Sequence, residues 1–342
     1  MRVDVLAKPG PDCEAFVRSH PDARMCFLPA WSEMAERAFG HRTYYLAARS
    51  DQTWHGVLPL IHVRSRFFGN RLVSAALSDY GGPLAADDAA RNALVDRAIA
   101  LAQELGCDAM ELRNLRPLPR DDLQSQTDKM TMHLSLPADP EILWRSLKAK
   151  VRNQVRKAEK AGLAAVSGGA ELLGDLYEAY ARRMHQLGTP AYSRRVLECL
   201  VETFPENHEV IVVRLDNACV GGGLALRLGG FVEMPFAAMH VEYNSLCPNN
   251  LLYWTVLKRS CEAGCKLFDF GRCTVDSNTH RFKKQWGPAP VPLGYQHWAP
   301  SGRELSIAGT SNPKYRWRIA LWRRSPACLT RLAGPWLSRD LP

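Results

Sequence analysis

The strongest constraint on this chain is a pattern that occurs twice. Residues 44–63 read as a hairpin: YYLAARS is an apolar strand, Asp51-Gln52 a turn and WHGVLPLIHV the return strand. Residues 209–228 repeat it with EVIVVRL, a turn at Asp216-Asn217, and CVGGGLALRL. Asp51 precedes Gly56 by the same interval that separates Asp216 from Gly221. Each hairpin leads to a helix and a strand. The first helix covers about 88–105 and stops at Gly106-Cys107 before DAMELRNL; the second covers about 249–263 and stops at Gly264-Cys265 before KLFDFGR. A glycine where the chain needs positive φ explains each stop. Matches in the same order imply a duplicated domain. The order of elements suits an α/β protein with mixed sheets flanked by helices. The reading divides the chain into domains at 1–137 and 138–304, with a tail at 305–342.

Size and charge agree with that plan. At roughly 150 residues per domain, 342 residues make two. With 46% hydrophobic and 23% charged residues, both can bury cores. The net charge of +9 suits an anionic partner, or simply a basic enzyme. Ten cysteines are dispersed without a C-x-x-C pair, and no His or Cys cluster has metal-site spacing. That predicts reduced thiols, a cytoplasmic location and no metal. Neither a leader-type apolar segment in Met1–Pro11 nor any apolar run of roughly 18 residues is present.

Four segments carry candidate chemistry. Between the repeats, LPADPEILWRSLKAKVRNQVRKAEKAGL reads as one helix over 140–161, from Asp139-Pro140 to Gly162. Trp144, Leu147, Val151 and Val155 form its apolar stripe. Arg145, Lys148, Arg152 and Arg156 lie one residue further round. This charge excess points to anion binding by Lys148, Arg152 and Arg156. Gly221-Gly222-Gly223 lies inside a strand and lacks the later glycine of a dinucleotide fingerprint; it marks a bulge or a close approach to a ligand, with Gly222 at its centre. Asn249 or Asn250 can cap the helix after the second hairpin, whose amides suit a phosphate. The densest polar segment is FDFGRCTVDSNTHRFKKQWG, with Asp269, Arg272, Asp276, His280, Arg281, Lys283 and Lys284 among aromatic residues. Strand alternation places Phe268 and Phe270 on one face and Asp269 on the other. A loop at a strand end is where α/β proteins place their sites.

LKAKVRNQVRKAEKAGL, YARRMHQLGTPAY, NNLLYWTVLKRSCEAGCKLFDFGR and RFKKQWG together resemble the Fem family, and more narrowly the Fem-like proteins of exosortase and exopolysaccharide loci. HVRSRFFGN, YGGPLA and NPKYRWRIALWRR extend the resemblance over most of the chain. It implies two tandem acetyltransferase-like (GNAT) domains. It also implies transfer of an acyl or aminoacyl group from acyl-CoA or aminoacyl-tRNA, with no tightly bound cofactor, to a glycan or peptidoglycan-like precursor. The family's Phe-Lys pair falls on Phe282, to stack on the donor adenine, and Lys283, to stabilise the oxyanion; Lys284 is the fallback. Tyr192, at the end of YARRMHQLGTPAY, and Tyr80, in the turn Tyr80-Gly81-Gly82-Pro83, are placed with the acceptor. The turn's glycines are read as allowing unusual φ. The family's coiled-coil arm for tRNA has no counterpart in a long heptad run here.

The chemistry implied is direct attack of an amine or hydroxyl on the donor carbonyl. Lys283 with Arg272 stabilises the oxyanion, and Asp269 or Asp276 orients Arg272 or takes the proton. A binding protein or a scaffold at the inner membrane face keeps the same fold without turnover. The tail has no acidic residue from Leu305 to Arg339, and Trp317, Leu321, Leu329, Leu332 and Trp336 alternate with arginines. Pro313 suits a helix start, and Pro326 and Pro335 break the run. The tail either meets an anionic membrane or packs on the second domain.

Overall fold

The structure is a computed structural model and describes residues 1–66, 68–126, 128–301 and 316–341. In chain order the first elements are β1 (Arg2–Leu6), α1 (Pro11–Ser19), α2 (Pro29–Phe39), β2 (Arg42–Ser50), β3 (Thr53–Ser65), β4 (Gly69–Ser74), β5 (Leu84–Ala85), α3 (Asp88–Glu104), β6 (Ala109–Asn114) and β7 (Gln124–Gln126). Then come β8 (Lys129–Ser135), α4 (Pro140–Ser146), α5 (Ala149–Lys160), β9 (Leu163–Gly168), α6 (Leu173–Leu187), α7 (Arg194–Thr203), β10 (His208–Leu215), β11 (Ala218–Leu228), β12 (Phe231–Met239) and α8 (Pro248–Glu262). The last are β13 (Leu267–Asp269), β14 (Cys273–Thr274), α9 (Asn278–Lys284), β15 (Ala289–Pro292), β16 (Gly294–Trp298), α10 (Arg316–Arg324) and α11 (Ala327–Ser338).

The chain forms two compact units. The first comprises Met1–Met130, the segment beginning at Pro292, and the residues from Arg339; the second comprises Thr131–Val291 and the helices up to Ser338. Among the described residues each unit has an 8-stranded mixed sheet. The first runs β1-β2-β3-β4-β6-β16-β7, with β5 on β3; the second runs β14-β8-β13-β12-β11-β10-β9, with β15 on β8. β16 was expected in the second domain and β8 in the first. Each pairs in the other unit's sheet, antiparallel to β6 and to β13 respectively. Pairing between distant segments leaves no local sequence signal, which is why a cut at 137/138 misassigns both strands.

The repeat is a repeat in backbone geometry. Asp51 and Asp216 both turn their hairpins at φ 52°, a left-handed conformation that Asp tolerates better than most residues. Both hairpins then carry a bulge. Ala48 faces Gly56 while Arg49 faces Trp54, leaving His55 over; Val213 faces Gly221 while Arg214 faces Cys219, leaving Val220 over. Both helices stop at glycines of positive φ, 60° at Gly106 and 74° at Gly264.

In the first unit α3 lays Leu94, Val95, Ala98 and Leu101 against Leu46, Leu58, Leu60, Leu72 and Met110 of the sheet, all buried. In the second, α6 and α8 pack on β10 and β11, and α5 lies on α8. The helix expected over 140–161 is two helices. Leu147 is buried and extended (φ −66°, ψ 146°), so the chain breaks there to bring its side chain inward. Arg152 Nη1 donates to the carbonyls of Arg145 (2.9 Å) and Leu147 (3.0 Å), capping the end of α4. β13 is buried on both faces, since Phe268, Asp269 and Phe270 are all inside.

At the open end of the first sheet, Glu111 accepts from Arg71 Nη2 (2.8 Å) and Arg113 Nε (2.7 Å). Burial works to raise this carboxyl, but Arg113 and Arg71 outweigh it and hold it at about 2. A folded value below the ordinary 4.5 means the ionised group stabilises the fold above that pH, and the contribution is lost as pH falls toward about 2. Glu111→Gln should therefore cost roughly 3 kcal/mol at neutral pH. In urea titrations the gap from the parent should close between about pH 5 and pH 2. Gly221→Ala should cost at least about 3 kcal/mol in the same assay, because its Cβ would lie 2.3 Å from the Ala238 carbonyl oxygen at φ +152°.

Candidate active site

The second sheet opens between β12 and β13. These strands pair in parallel over Phe231↔Leu267, Val232↔Phe268 and Glu233↔Asp269. Beyond that, β12 continues to Met239 while β13 ends. Among the described residues, no strand pairs with that edge of β12 past Glu233. β12 also changes register with β11 between Leu224 and Leu226, opposite Met234 and Pro235. Pro235 has no N–H for a ladder, so the strand bends where its neighbour leaves it.

A turn stabilised from within follows β13. The Asp269 carboxylate accepts from Thr131 Oγ1 and from the Gly271 amide (2.7 Å), and stands 3.5 Å from His133 Nε2. Gly271 takes φ 77°, and Arg272 is exposed beside it. α9 returns over this turn, capped by Ser277, whose hydroxyl accepts from His280 N (3.1 Å). Lys283 is buried, and its ammonium donates to the carbonyls of Gly271 (2.7 Å) and Arg272 (3.1 Å). The residues of the expected oxyanion pair are thus brought together, with Lys283 holding the backbone that presents Arg272. Asp276 is exposed at φ 60°; its amide donates to His280 Nδ1 (3.0 Å). Lys284 points to solvent.

Phe282 is half-buried and meets the Tyr253 ring edge-on at 5.1 Å. Tyr253 also stacks on Phe270 at 5.5 Å and lies 6.1 Å from Trp286. Burial pushes the Tyr253 hydroxyl well above its ordinary value, so it stays protonated. On the free stretch of β12, Phe236 meets Tyr180 and Tyr192 edge-on at 5.3 and 6.4 Å. Tyr192 is therefore beside the diverging strand. His240 closes β12. Burial first, then the charge of Arg182, lowers its pKa, which keeps the imidazole neutral at neutral pH. Tyr253 and His240 escaped the sequence reading; their signal was position in the strand and helix bordering the opening.

Three assignments change. Asn249 and Asn250 do not cap α8. Cys247, at φ 61°, is the cap residue, Pro248 follows, and buried Asn250 donates to Gln154 Oε1 (3.3 Å). Proline's fixed φ supplies the first helical residue and shifts the start before the asparagines. Tyr80 is buried in the first unit, with the Arg24 guanidinium 5.9 Å from its ring centre, and does not line a cleft. The glycines after it are required for space. A Cβ at Gly81 would fall 2.6 Å from Cys26 Sγ, and one at Gly82 would fall 1.8 Å from Asn114 Oδ1. The positive φ angles lie earlier, at Ala75 and Leu77.

The basic helix also divides its charges differently. Arg152 is spent on the α4 carbonyls, and Lys148 stands exposed at the start of α5. Arg156 lies over the Trp144 ring, 5.5 Å from its centre. Arg156, Lys157 and Lys160, with Asn153 and Ala161, line an open cavity of about 470 Å³. The basic side chains that line a concavity therefore lie about one turn along α5 from those expected. Gly222 acts through its backbone: a Cβ there would be 2.5 Å from the Ile211 carbonyl oxygen. Among the described residues no group of three or more His, Cys, Asp or Glu is placed to hold a metal, and no helix is long and apolar enough to cross a membrane.

Residues 145–284 match the family described as "Acetyltransferase (GNAT) domain". The match lies within the second unit and covers the basic helix, the splayed strands and the Lys283 turn, so this unit carries an acetyltransferase (GNAT) domain. Among solved structures, the chain is similar to FemX, at 17% identity over 93% of this chain and 100% of that one, with a TM-score of 0.68. It is similar to a tandem GNAT protein from the clavulanic acid biosynthesis pathway, at 13% over 90% and 99%, TM-score 0.56. It is also similar to L-PGS from Bacillus licheniformis, at 13% over 96% and 97%, TM-score 0.55. These are likenesses of fold. No curated protein sequence matches the chain.

Replacing Arg156, Lys157 and Lys160 together with glutamine should weaken binding of a polyanion, tested with heparin, and flatten its salt dependence. The same change at Lys148 alone should do far less. Fluorescence titration at several salt concentrations checks both.

Proposed function

We propose that this chain transfers an acyl or aminoacyl group to an amine or hydroxyl of a cell-envelope or exopolysaccharide precursor, from the cytoplasmic side. The donor is an ester or thioester on a carrier that ends in an adenosine phosphate, either acyl-CoA or aminoacyl-tRNA. The observation that supports this is the opening of the sheet past Glu233 and Asp269, bordered by the Lys283 turn. An acyl chain laid against the free edge of β12 replaces the missing strand and brings its carbonyl toward that turn.

The acceptor's lone pair attacks the donor carbonyl, and the tetrahedral oxyanion collapses by expelling the thiolate or the ribose oxygen, which leaves as a hydroxyl by taking up the proton that the acceptor released. No protein nucleophile is needed. Lys283 supplies positive charge in a buried, pre-oriented form, and Arg272 adds a cation at the rim. The acceptor's proton passes to a carboxylate, Asp276 in solvent or Asp269 within the turn. Phe282 offers a ring edge for the carrier adenine, and Tyr192 borders the acceptor side. The basic cavity on α5 takes the carrier's phosphates. The two carbonyls on the Lys283 ammonium also fit a second reading, a binding protein in which that lysine only braces the turn.

Native mass spectrometry of the protein with acetyl-CoA, and separately with an aminoacyl-tRNA pool, tests the donor; retention of neither overturns the proposal. With the donor found, Lys283→Met should lower the single-turnover transfer rate about a hundredfold to a thousandfold while the Kd for the carrier changes little. An unchanged rate rejects Lys283. Carrier binding without any transfer in the parent chain selects the binding reading.

A further inference from the structure

The C-terminal helices pack on the second unit by one face and expose large apolar side chains on another. Ser338 Oγ donates to the Ala191 carbonyl (2.9 Å), Arg323 Nη2 donates to the Leu187 carbonyl (3.0 Å), and His185 Nε2 lies 3.1 Å from the Ser325 carbonyl. Arg331 pairs with Glu178. Gly334 lies against Ala191, and a Cβ on Gly188 would be 2.6 Å from Ile319. These contacts fix α10 and α11 on α6. Pro326 separates the two helices, whereas Pro335 sits inside α11 without breaking it; Pro313 and Lys314 lie outside the described residues.

The other face is apolar and exposed. Trp317 (63% exposed) and Leu321 are one turn apart on α10. Leu329, Leu332 (81% exposed) and Trp336 follow helical spacing on α11. Leu187, at the end of α6 beside Arg323, is exposed as well. Five of the twelve exposed large hydrophobics among the described residues sit on these two helices. Residues 316–339 contain no acidic side chain, and Arg324 is exposed beside the apolar groups of α10, while Arg323 and Arg331 are engaged with Leu187 and Glu178 on the packed side.

We infer that this face docks reversibly on an anionic lipid bilayer, the indoles and leucines entering the headgroup region, Arg324 meeting a lipid phosphate and the net positive charge of the two helices drawing them to the surface. Charge decides among occupants. A second copy of this chain carries the same acid-free, net-positive helices and repels them, whereas an anionic surface neutralises them. Exposed apolar side chains interleaved with cations are what a peripheral segment needs, since neither apolar burial nor charge alone holds a protein at a membrane firmly. The inference extends the proposed function by placing its acceptor on a lipid carrier at that surface.

Flotation of the full chain with phosphatidylglycerol vesicles, and with pure phosphatidylcholine vesicles, reads the contact without any turnover. The chain should float with the anionic vesicles at low salt and remain below with the neutral ones. L329S/L332S should weaken anionic partitioning about tenfold or more, and R324Q should weaken it at low salt and flatten its loss with added salt. All these side chains are exposed, so far-UV circular dichroism should not change. A parent chain that stays at the bottom, or a double variant that floats equally well, overturns the inference. So does a dimer in light scattering that L329S/L332S abolishes, because the face then meets a second copy. Lost flotation with intact transfer removes only the docking; intact flotation without transfer removes only the enzymatic reading.

Discussion

Both units depend on one close approach of backbone to backbone. In β11, residue 221 passes so near β12 that any Cβ would fall 2.3 Å from the Ala238 carbonyl oxygen. In β3, a Cβ at Gly56 would fall 2.8 Å from the Leu84 carbonyl oxygen. Each glycine follows the residue squeezed out of its ladder, and that residue's carbonyl finds a partner in a third segment. His55 O accepts from Ala86 N (2.8 Å), and Val220 O accepts from His240 N (2.9 Å). The bulge therefore does more than twist a hairpin. It ties the hairpin to the segment that leads into the next helix. In the second unit it sets where β12 ends, and with that where α8 begins and how wide the sheet stands open.

The same register position serves opposite ends in the two units. Glu111 faces Val73 and Asp269 faces Glu233, each the last pair of a short parallel ladder. In the first unit two arginines close on the carboxylate, one of them, Arg71, joining β4 to β6. In the second the carboxylate turns inward to a hydroxyl and to the amide of its own turn, leaving Arg272 exposed at the rim. A buried acid at the last pair of a parallel ladder thus makes a clamp in one unit and a shaped loop in the other. The difference rests on whether its neighbours are long cations or small donors.

Much of the architecture was legible because the chain states it locally and twice. The turns at Asp51 and Asp216, the stops at Gly106 and Gly264, and the hairpin strands follow from backbone preferences that a few adjacent residues encode. The basic helix was legible as charge but not as shape, since the break at Leu147 comes from a side chain seeking the interior and an arginine reaching back to cap it. The start of α8 was misread because asparagine is a good cap in general, while Cys247-Pro248 happened to supply the needed geometry earlier. In the candidate site, the dense polar segment drew attention to the loop, while the family resemblance, not density, singled out Lys283. Tyr253 and His240 were missed because a lone tyrosine in a helix and a histidine after a strand acquire meaning only when strands diverge beside them.

The exchange of β8 and β16 has a consequence for how this chain is made. β16 is the neighbour that β6 requires, yet it emerges from the ribosome only after the whole of the second sheet. At about 5–20 residues per second, the first unit waits roughly ten to forty seconds with one side of β6 bare. A nascent chain in that interval holds Met110 to Asn114 of β6 without their partners in β16, so translation speed and chaperone access become part of how the first unit reaches its native form.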